Sequence, residues 1–341
     1  MCDVTVIGPG VMDVLASPFD QEVFERDSRY LDHIRMSFGG DALNESVVLS
    51  RLGKCVQLIS KVGNDEAGRS IMGYLRKCGV PTDHVQVQDG LDTSVNIALI
   101  AQDGSRKFLM DPHSSIRKLG PEDVLPYLPG GSKDDGKTAP IVSFASMFIS
   151  PLFTIEKMKE LFAAVKAAGK TLVVDVTRAK NGEKLEDLRE LLPYIDVFVP
   201  NDEEIASMTG IADPEENVRL LVEAGVKTAV VKIGGEGCLI GMKLDAEAPV
   251  SGKAESGKGK TGSPGVKIIH VPAVPGAKCV DTTGAGDTFA AGFIAGLCNG
   301  WSVENCARLG CAAASCSIEQ IGATDGVHSL EQVMERYHRI P

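Results

Sequence analysis

Short runs of β-branched and apolar residues alternate along the chain with longer segments whose apolar positions recur at helical spacing. Strands are predicted at 4–7, 56–59, 141–144, 172–175, 197–199 and 229–233. Helices are predicted at 44–52, 67–78, 155–168, 217–224, 288–297 and 303–318. This alternation is typical of a mainly parallel sheet with helices packed on both faces. We therefore predict an α/β fold.

Two segments interrupt the alternation. Residues 14–38 have no strong helical pattern, and 94–100 with 106–110 predict a hairpin that turns at Asp103-Gly104. Together they predict a small separate sheet inserted into one domain that spans residues 1–341. Polar, aperiodic stretches at 130–137 and 243–266 are predicted to be exposed loops.

The composition narrows the classes of partner. The 341 residues carry a net charge of −11, which opposes binding to nucleic acid or to an anionic membrane. The chain has no apolar run of about 18 residues, and its N-terminal Met1-Cys2-Asp3 lacks the pattern of a signal peptide. Nine cysteines, an odd number without a C-x-x-C pair, indicate free thiols. We expect a cytoplasmic protein with small-molecule ligands.

The most informative segment is Asp-Thr-Thr-Gly-Ala-Gly-Asp at 281–287, which leads into an apolar helical run. A helix start presents unpaired N–H groups, and the small residues Gly284, Ala285 and Gly286 let an anion approach them closely. Asp287 stands at the same place, where its charge would repel a phosphate. It is better explained as a base that takes a proton from a hydroxyl attacking the phosphate. The segment therefore predicts phosphoryl transfer.

Two other glycine-rich segments imitate nucleotide-binding motifs. Gly8-Pro9-Gly10 departs from the dinucleotide fingerprint, because Asp13 replaces the third small residue and Pro9 has no N–H group. The Gly-Lys-Thr run within 254–261 has no preceding strand and no following helix, so it does not predict a P-loop. Asp13 itself follows a strand, where it fits either a substrate-binding carboxylate or a turn residue.

Three further helix starts and turns have both a structural and a functional interpretation. Gly39-Gly40-Asp41 with Asn44 is either a capped turn or a site for polar substrate atoms. Asn201 and Glu204 either complement a helix dipole or face a hydrated Mg²⁺. Gly234 to Gly237 forms a turn that would also admit a nucleotide ring.

Taken in chain order, these motifs resemble the ribokinase-like (PfkB) carbohydrate kinase family, and they span nearly the whole chain. The matching segments are Gly39-Gly40 with Asn44, 62–68, Asn201 with Glu204, 281–287 and Ile321-Gly322-Ala323. The form Gly-Asp-Ala-Leu-Asn-Glu at 40–45 is similar to that of uncharacterised bacterial sugar kinases. The resemblance implies a three-layer sandwich with a lid, a β-clasp formed by segments at about 14–38 and 93–112. It also implies a homodimer formed through that lid.

The resemblance implies a role for each matching residue. Asp287 would be the catalytic base, with Gly284, Ala285 and Gly286 as the anion hole. The substrate would be bound by Asp13, Gly39, Gly40, Asp41, Asn44, Asn96, Arg106 and Asp175. The cofactor ATP would be bound by Asn201, Glu204, Lys232, Gly234, Gly237 and Cys311. Asn201 and Glu204 would hold Mg²⁺ through water, and Asp281 with Thr283 would hold a monovalent cation such as K⁺.

The chain departs from the family pattern at two places. Cys311 stands near the adenine site, where relatives often have Asn or His. Asp175-Val176-Thr177-Arg178 replaces the Asp-Pro-Asn-x-Arg of fructokinase-like members, and Arg178, Lys180 and Arg106 suit an anionic substrate group or are surface charges. The expected activity is an ATP- and Mg²⁺-dependent kinase acting on a sugar or sugar acid. A nucleoside kinase and a non-catalytic sugar-binding protein are the alternatives.

Overall fold

The computed structural model of the chain describes residues 2–25, 27–102, 106–133, 139–244 and 265–341. The predicted turn at Asp103-Gly104, most of the loop at 130–137, most of 243–266 and the Gly-Lys-Thr run lie outside these ranges. Among the described residues, no helix combines the length and the apolar character that a membrane crossing requires.

The strands and helices follow the predicted alternation. The strands are β1 (Val4–Ile7), β2 (Val11–Phe19), β3 (His33–Gly39), β4 (Val56–Gly63), β5 (Val85–Gln88), β6 (Val95–Ala101), β7 (Arg106–Leu109), β8 (Ile141–Met147), β9 (Thr171–Val176), β10 (Val197–Phe198), β11 (Thr228–Lys232), β12 (Cys238–Lys243) and β13 (Val266–Val271). The helices are α1 (Asp41–Arg51), α2 (Glu66–Lys77), α3 (Pro121–Val124), α4 (Ile155–Ala167), α5 (Asp202–Thr209), α6 (Pro214–Glu223), α7 (Ala285–Cys298), α8 (Val303–Ser317) and α9 (Leu330–Tyr337). Each predicted strand and helix is present, with somewhat different ends.

In the described part of the chain, a nine-stranded sheet has the order β13-β12-β11-β10-β9-β8-β1-β4-β5. Neighbours from β5 to β11 are parallel, whereas β12 and β13 are antiparallel. The chain passes from β1 to β4 on one side and to β8 on the other, which makes a topological switch point at β1. Ligands of open α/β sheets bind outside the carboxyl ends of the strands at such a point.

Helices cover both faces of this sheet. One core cluster joins apolar residues of α1, α2, α7, α8 and α9 to one face of the sheet. A second joins α3, α4, α5 and α6 to the opposite face. The predicted three-layer α/β architecture is confirmed.

The inserted segments form a second sheet of four described strands in the order β3-β2-β6-β7, which we call the clasp. The predicted hairpin is confirmed, since β6 and β7 pair antiparallel with Ile97 opposite Leu109. Residues facing one side include the exposed apolar side chains Ile34, Met36 and Ile97. Asp13, Asn96 and Arg106 follow the alternate positions and therefore face the other side.

Candidate active site

Helix α7 begins at the small residues of the 281–287 segment. Gly284 is its N-cap and has φ +68°. A Cβ there would lie 2.6 Å from the carbonyl oxygen of Ala323, so only glycine fits both the backbone angle and the space. The close contact with the 322–324 loop fixes where α7 starts.

Asp287 lies in the first turn of α7 and is held by a residue of α1. Asn44 donates from Nδ2 to Oδ2 of Asp287 over 2.7 Å. Burial raises the pKa of Asp287, although the Asn44 hydrogen bond and the charge of Lys232 act in the opposite direction. A carboxylate with a raised pKa, fixed in one orientation, is suited to accept a proton.

The N–H groups at the start of α7 are not equivalent. Ala285 donates to the carbonyl oxygen of Thr282 over 3.2 Å. Gly286 donates to no acceptor among the described residues. A Cβ on Gly286 would lie 3.3 Å from Nζ of Lys232, so the ammonium group sits beside this part of the helix. The free N–H group and Lys232 form a positive site next to Asp287.

Lys232 ends β11 and lies among carboxylates. Its Nζ donates to Oδ2 of Asp175 over 2.7 Å. Burial alone would lower the pKa of Lys232, but Asp175, Glu204 and Asp287 outweigh burial and raise it. Burial raises the pKa of Asp175 to about 7 despite this ion pair. Lys232 is therefore a charged group, and its partner in the structure is Asp175.

Asp41 belongs to the same cluster. Its Oδ2 accepts a hydrogen bond of 2.5 Å from Oγ of Ser146, which lies near the carboxyl end of β8. Burial and the negative charge of Asp287 raise its pKa well above the ordinary value. Because two neighbouring carboxylates repel each other, a bound cation or a proton on one of them stabilises the pair.

Asp13 and Asn96 meet on the inner side of the clasp. Nδ2 of Asn96 donates to Oδ1 of Asp13 over 3.0 Å. A Cβ on Gly39 would lie 2.2 Å from the second oxygen of Asp13, so this glycine makes the position of Asp13 possible. Within the described chain, the buried Oδ1 atoms of Asn96 and Asn44 have no hydrogen-bond partner. Two orphaned acceptors beside Asp13 and Asp287 suit a ligand with several hydroxyl groups.

Gly40 brings the start of α1 against Pro9, which lies between β1 and β2. It has φ +92°, and a Cβ there would lie 2.6 Å from the carbonyl oxygen of Pro9. The backbone of Gly39-Gly40 therefore connects the clasp directly to the helix that carries Asp41 and Asn44.

Asn201 and Glu204 cap α5 reciprocally. Oδ1 of Asn201 accepts from the Glu204 N–H over 2.7 Å, and Oε2 of Glu204 accepts from the Asn201 N–H over 2.8 Å. Burial raises the pKa of Glu204, while Lys232 acts to lower it. The described residues contain no cluster of three metal-binding side chains, but one Glu204 oxygen remains for a water-mediated contact. This donor set fits Mg²⁺ that keeps most of its water ligands.

The residues predicted near a nucleotide occupy different surroundings. Gly234 begins a 3₁₀ turn between β11 and β12, and nothing lies within 4 Å of the place of its Cβ. Gly237 has φ +100°, and a Cβ there would lie 2.1 Å from the carbonyl oxygen of Val271. Cys311 is buried on α8 in contact with Cys238 of β12. The open face of the turn at Gly234 is the part of this region that a ligand can reach.

Arg106, predicted to bind substrate, instead contacts the loop before α7. It forms an ion pair with Asp281, the first residue of the 281–287 segment. Asp281 also accepts hydrogen bonds from the N–H and hydroxyl of Thr283 and from the N–H of Gly322. Burial opposes ionisation of Asp281, but these donors outweigh it and lower its pKa.

The motifs of this site belong to one family model. The pfkB family carbohydrate kinase model matches residues 1–330. The chain belongs to the pfkB family. It is therefore a carbohydrate kinase, as the family resemblance of its motifs predicted.

Curated relatives agree with this assignment, and a solved structure shows a similar fold. An uncharacterised sugar kinase of Archaeoglobus fulgidus is 30% identical, covering 82% of this chain and 97% of its own. A 2-dehydro-3-deoxygluconokinase of Thermoproteus tenax is 28% identical, covering 62% of this chain and 65% of its own. The fold is similar to that of Arabidopsis thaliana ribokinase complexed with ribose and ATP (TM-score 0.75, 23% identity, 98% of both chains).

Two residues of this pfkB kinase site were not singled out from the sequence. Ser146 gave no motif, because a lone serine after a strand is common. Glu45 is 1% exposed, and its Oε1 has no hydrogen-bond partner within the described chain. Burial, followed by the charges of Asp175, Asp287 and Asp41, raises the pKa of Glu45 to about 8. Its spacing of four residues from Asp41, which puts both on one helix face, was the available signal.

Proposed function

We propose that this pfkB-family kinase transfers the γ-phosphoryl group of ATP to a hydroxyl of a sugar or sugar acid. Asp287 is the base, and the N-terminus of α7 at 284–286 is the anion hole. The observation that carries the proposal is the position of Asp287, which is held by Asn44 beside the free N–H of Gly286 and the ammonium of Lys232.

The arrangement supports a direct, in-line transfer. The acceptor hydroxyl gives its proton to Asp287 as its oxygen attacks the phosphorus. The N–H groups at the start of α7 and the charge of Lys232 stabilise the negative charge on the transferred group. The clasp acts as a lid that holds the sugar against Asp13 and Asn96 and excludes water, which would otherwise compete as an acceptor.

Hydroxyl-rich substrates suit the orphaned acceptors of the site. Oδ1 of Asn44 and Oδ1 of Asn96 are buried acceptors, and substrate hydroxyls would donate to them. Arg178 and Lys180 follow β9 as exposed cations, which suits an acid group on the substrate. The similarity to a 2-dehydro-3-deoxygluconokinase supports a sugar acid, and the similarity to a ribokinase bound to ribose supports a neutral sugar.

Nucleotide and metal occupy the neighbouring elements in this proposal. ATP lies along the turn at Gly234, and the similar ribokinase structure contains ATP. Glu204 and Asn201 would hold Mg²⁺ through its water ligands, and the metal would supply positive charge that shields the phosphates. Without such a cation, the carboxylates of Asp41 and Glu204 would repel the phosphates near Lys232.

Two further parts of the proposal concern the whole protein. The exposed apolar side of the clasp, which carries Ile34, Met36 and Ile97, suits contact with a second copy and hence a homodimer. The nine free cysteines suit a reducing compartment such as the cytoplasm.

The test is a screen for ATP-dependent phosphorylation with the full chain and Mg²⁺. Hexoses, pentoses, sugar acids and nucleosides are offered, ADP release is followed, and products are identified by mass. We expect turnover with one sugar or sugar-acid class and loss of activity in excess chelator. Preference for a nucleoside would replace the substrate assignment. No turnover with any acceptor would contradict kinase activity.

A further inference from the structure

The 281–287 segment begins with a carboxylate that the family resemblance assigns to a monovalent cation. In this chain that carboxylate already receives four hydrogen bonds. Oδ1 of Asp281 accepts from the N–H and from the hydroxyl of Thr283, both over 2.7 Å, and from the guanidinium of Arg106. Oδ2 accepts from the N–H of Gly322 over 3.0 Å. A carboxylate has about four acceptor positions, two on each oxygen, so Oδ1 is fully engaged by its three donors and Oδ2 has one donor.

The charge at this place is also balanced. The side chain of Asp281 is 5% exposed and that of Arg106 is 21% exposed, so the ion pair is largely shielded from solvent. A second cation at Asp281 would have to displace the guanidinium or lie beside it, where like charges repel. The residues present therefore do not fit a K⁺ ion bound at Asp281.

Arg106 also connects two parts of the site. It belongs to β7 of the clasp and lies opposite Ile100 of β6, the strand that carries Asn96. Asp281 belongs to the loop that leads into the anion hole at α7. The ion pair therefore fixes the clasp to the loop that positions Gly284–Gly286.

We propose that Arg106 takes the place of the activating monovalent cation. This kinase therefore works without K⁺, and the guanidinium group of Arg106 connects the clasp to the anion-hole loop. Arg106 is a positioning residue in this account, because it acts on the reaction through Asp281 rather than by touching the phosphate. The part of the proposal that concerns catalysis rests on the proposed kinase function; the part that concerns cation binding does not.

The test compares KCl with tetramethylammonium chloride at equal ionic strength, using the full chain. For the unchanged protein we expect the same melting temperature and the same kcat in both salts. For Arg106→Met, which keeps an unbranched stem but removes the guanidinium charge, we expect K⁺ to raise the melting temperature. We also expect that variant to lose activity about tenfold or more in tetramethylammonium and to regain it in K⁺. Arg106→Lys should stay insensitive to K⁺.

Lys77→Met is the matched control, because Lys77 is an exposed cation of α2 and lies outside the clasp. It should respond like the unchanged protein. A K⁺-specific gain in melting temperature or activity by the unchanged protein would overturn the proposal. So would a folded Arg106→Met protein that shows no response to K⁺. If no acceptor is phosphorylated at all, the proposed function fails while the melting temperatures still decide whether Arg106 replaces the cation.

Discussion

Asp287 and Glu45 are carboxylic acids in one cluster, but their surroundings support different protonation states. Asp287 receives a hydrogen bond from Asn44 and lies near Lys232, and both favour its charged form. Glu45 has no cation among the groups that shift its pKa, and burial raises that pKa to about 8 although Ser143 acts to lower it. These surroundings favour a protonated Glu45 at neutral pH and leave Asp287 as the group that we propose as the base.

Replacing Glu45 by Gln tests this assignment through stability. Because the folded state raises the pKa from 4.5 to about 8, it holds a proton that the unfolded chain releases between those values. This favourable contribution is fully present below the lower value and is lost as the pH rises through the upper one. The free energy of unfolding, measured in urea, should fall with pH in the unchanged protein by up to about 1.4 kcal/mol per unit from this group.

Glu45→Gln should give a flatter pH dependence, since glutamine does not ionise. Glu66→Gln, at an exposed side chain of α2, should leave the slope of the unchanged protein in place. Equal slopes for Glu45→Gln and the unchanged protein would show that Glu45 is ionised in the folded state.

Sequence patterns predicted individual candidate residues of the site more readily than the ion pairs that these residues form. Asp287, Asn44 and Glu204 stand at helix starts, where local spacing indicates a candidate site residue. The pairing of Lys232 with Asp175 joins residues 57 positions apart, and that of Arg106 with Asp281 joins residues 175 apart. Such pairs depend on how strands and loops meet in three dimensions, and periodicity carries no information about that.

At the scale of elements, α7 is positioned by unusually close packing against α8. A Cβ on Gly292 would lie 2.8 Å from the carbonyl oxygen of Leu309, and one on Gly310 would lie 2.9 Å from that of Phe289. Since α7 carries Asp287 in its first turn, this packing fixes the position of Asp287 relative to α1.

Gly292→Ala should therefore lower the free energy of unfolding by about 1–3 kcal/mol, because backbone atoms cannot move aside easily. Gly73→Ala is the control, because Gly73 is on the exposed side of α2 and nothing lies within 4 Å of the place of its Cβ. It should raise stability by up to about 1 kcal/mol. Thermal or urea unfolding measures both changes. A Gly292→Ala protein as stable as the Gly73→Ala protein would contradict the close helix contact.

The elements that the sequence did not predict have a physical reason for being missed. β12 contains Gly241, a residue that usually weakens a strand, because α6 approaches so closely that a Cβ would lie 2.2 Å from Val218. β13 lies at the edge of the sheet, and all of its residues except Val271 are partly or fully exposed. The central strands were predicted because helices bury both of their faces, which leaves continuous apolar runs.

At the scale of the molecule, the clasp has two sides of opposite character. Asp13 and Asn96 lie on the side of the site, whereas Ile34, Met36 and Ile97 expose 67%, 74% and 39% of their surface on the other. A sheet with one apolar face exposed is suited to contact with a partner. A second copy of the chain is the partner that we propose.

Analytical ultracentrifugation of the full chain tests this association. The unchanged protein should sediment as a dimer, and the double variant Met36→Glu with Ile97→Glu should sediment as a monomer, since burying two carboxylates in the interface is costly. Val87→Glu is the control, because Val87 is an exposed apolar residue of β5 outside the clasp. A monomeric unchanged protein, or a double variant that remains dimeric, would contradict association through the clasp.

The central claim is that Asp287 removes the proton from the acceptor hydroxyl, and the kcat of Asp287→Asn tests it most directly. Asparagine keeps the size of the side chain but does not accept this proton, so kcat should fall at least about a hundredfold with the fold retained by circular dichroism. Asp213→Asn is the control, because Asp213 caps α6 and asparagine caps equally well. A kcat for Asp287→Asn within tenfold of the unchanged protein would contradict the account.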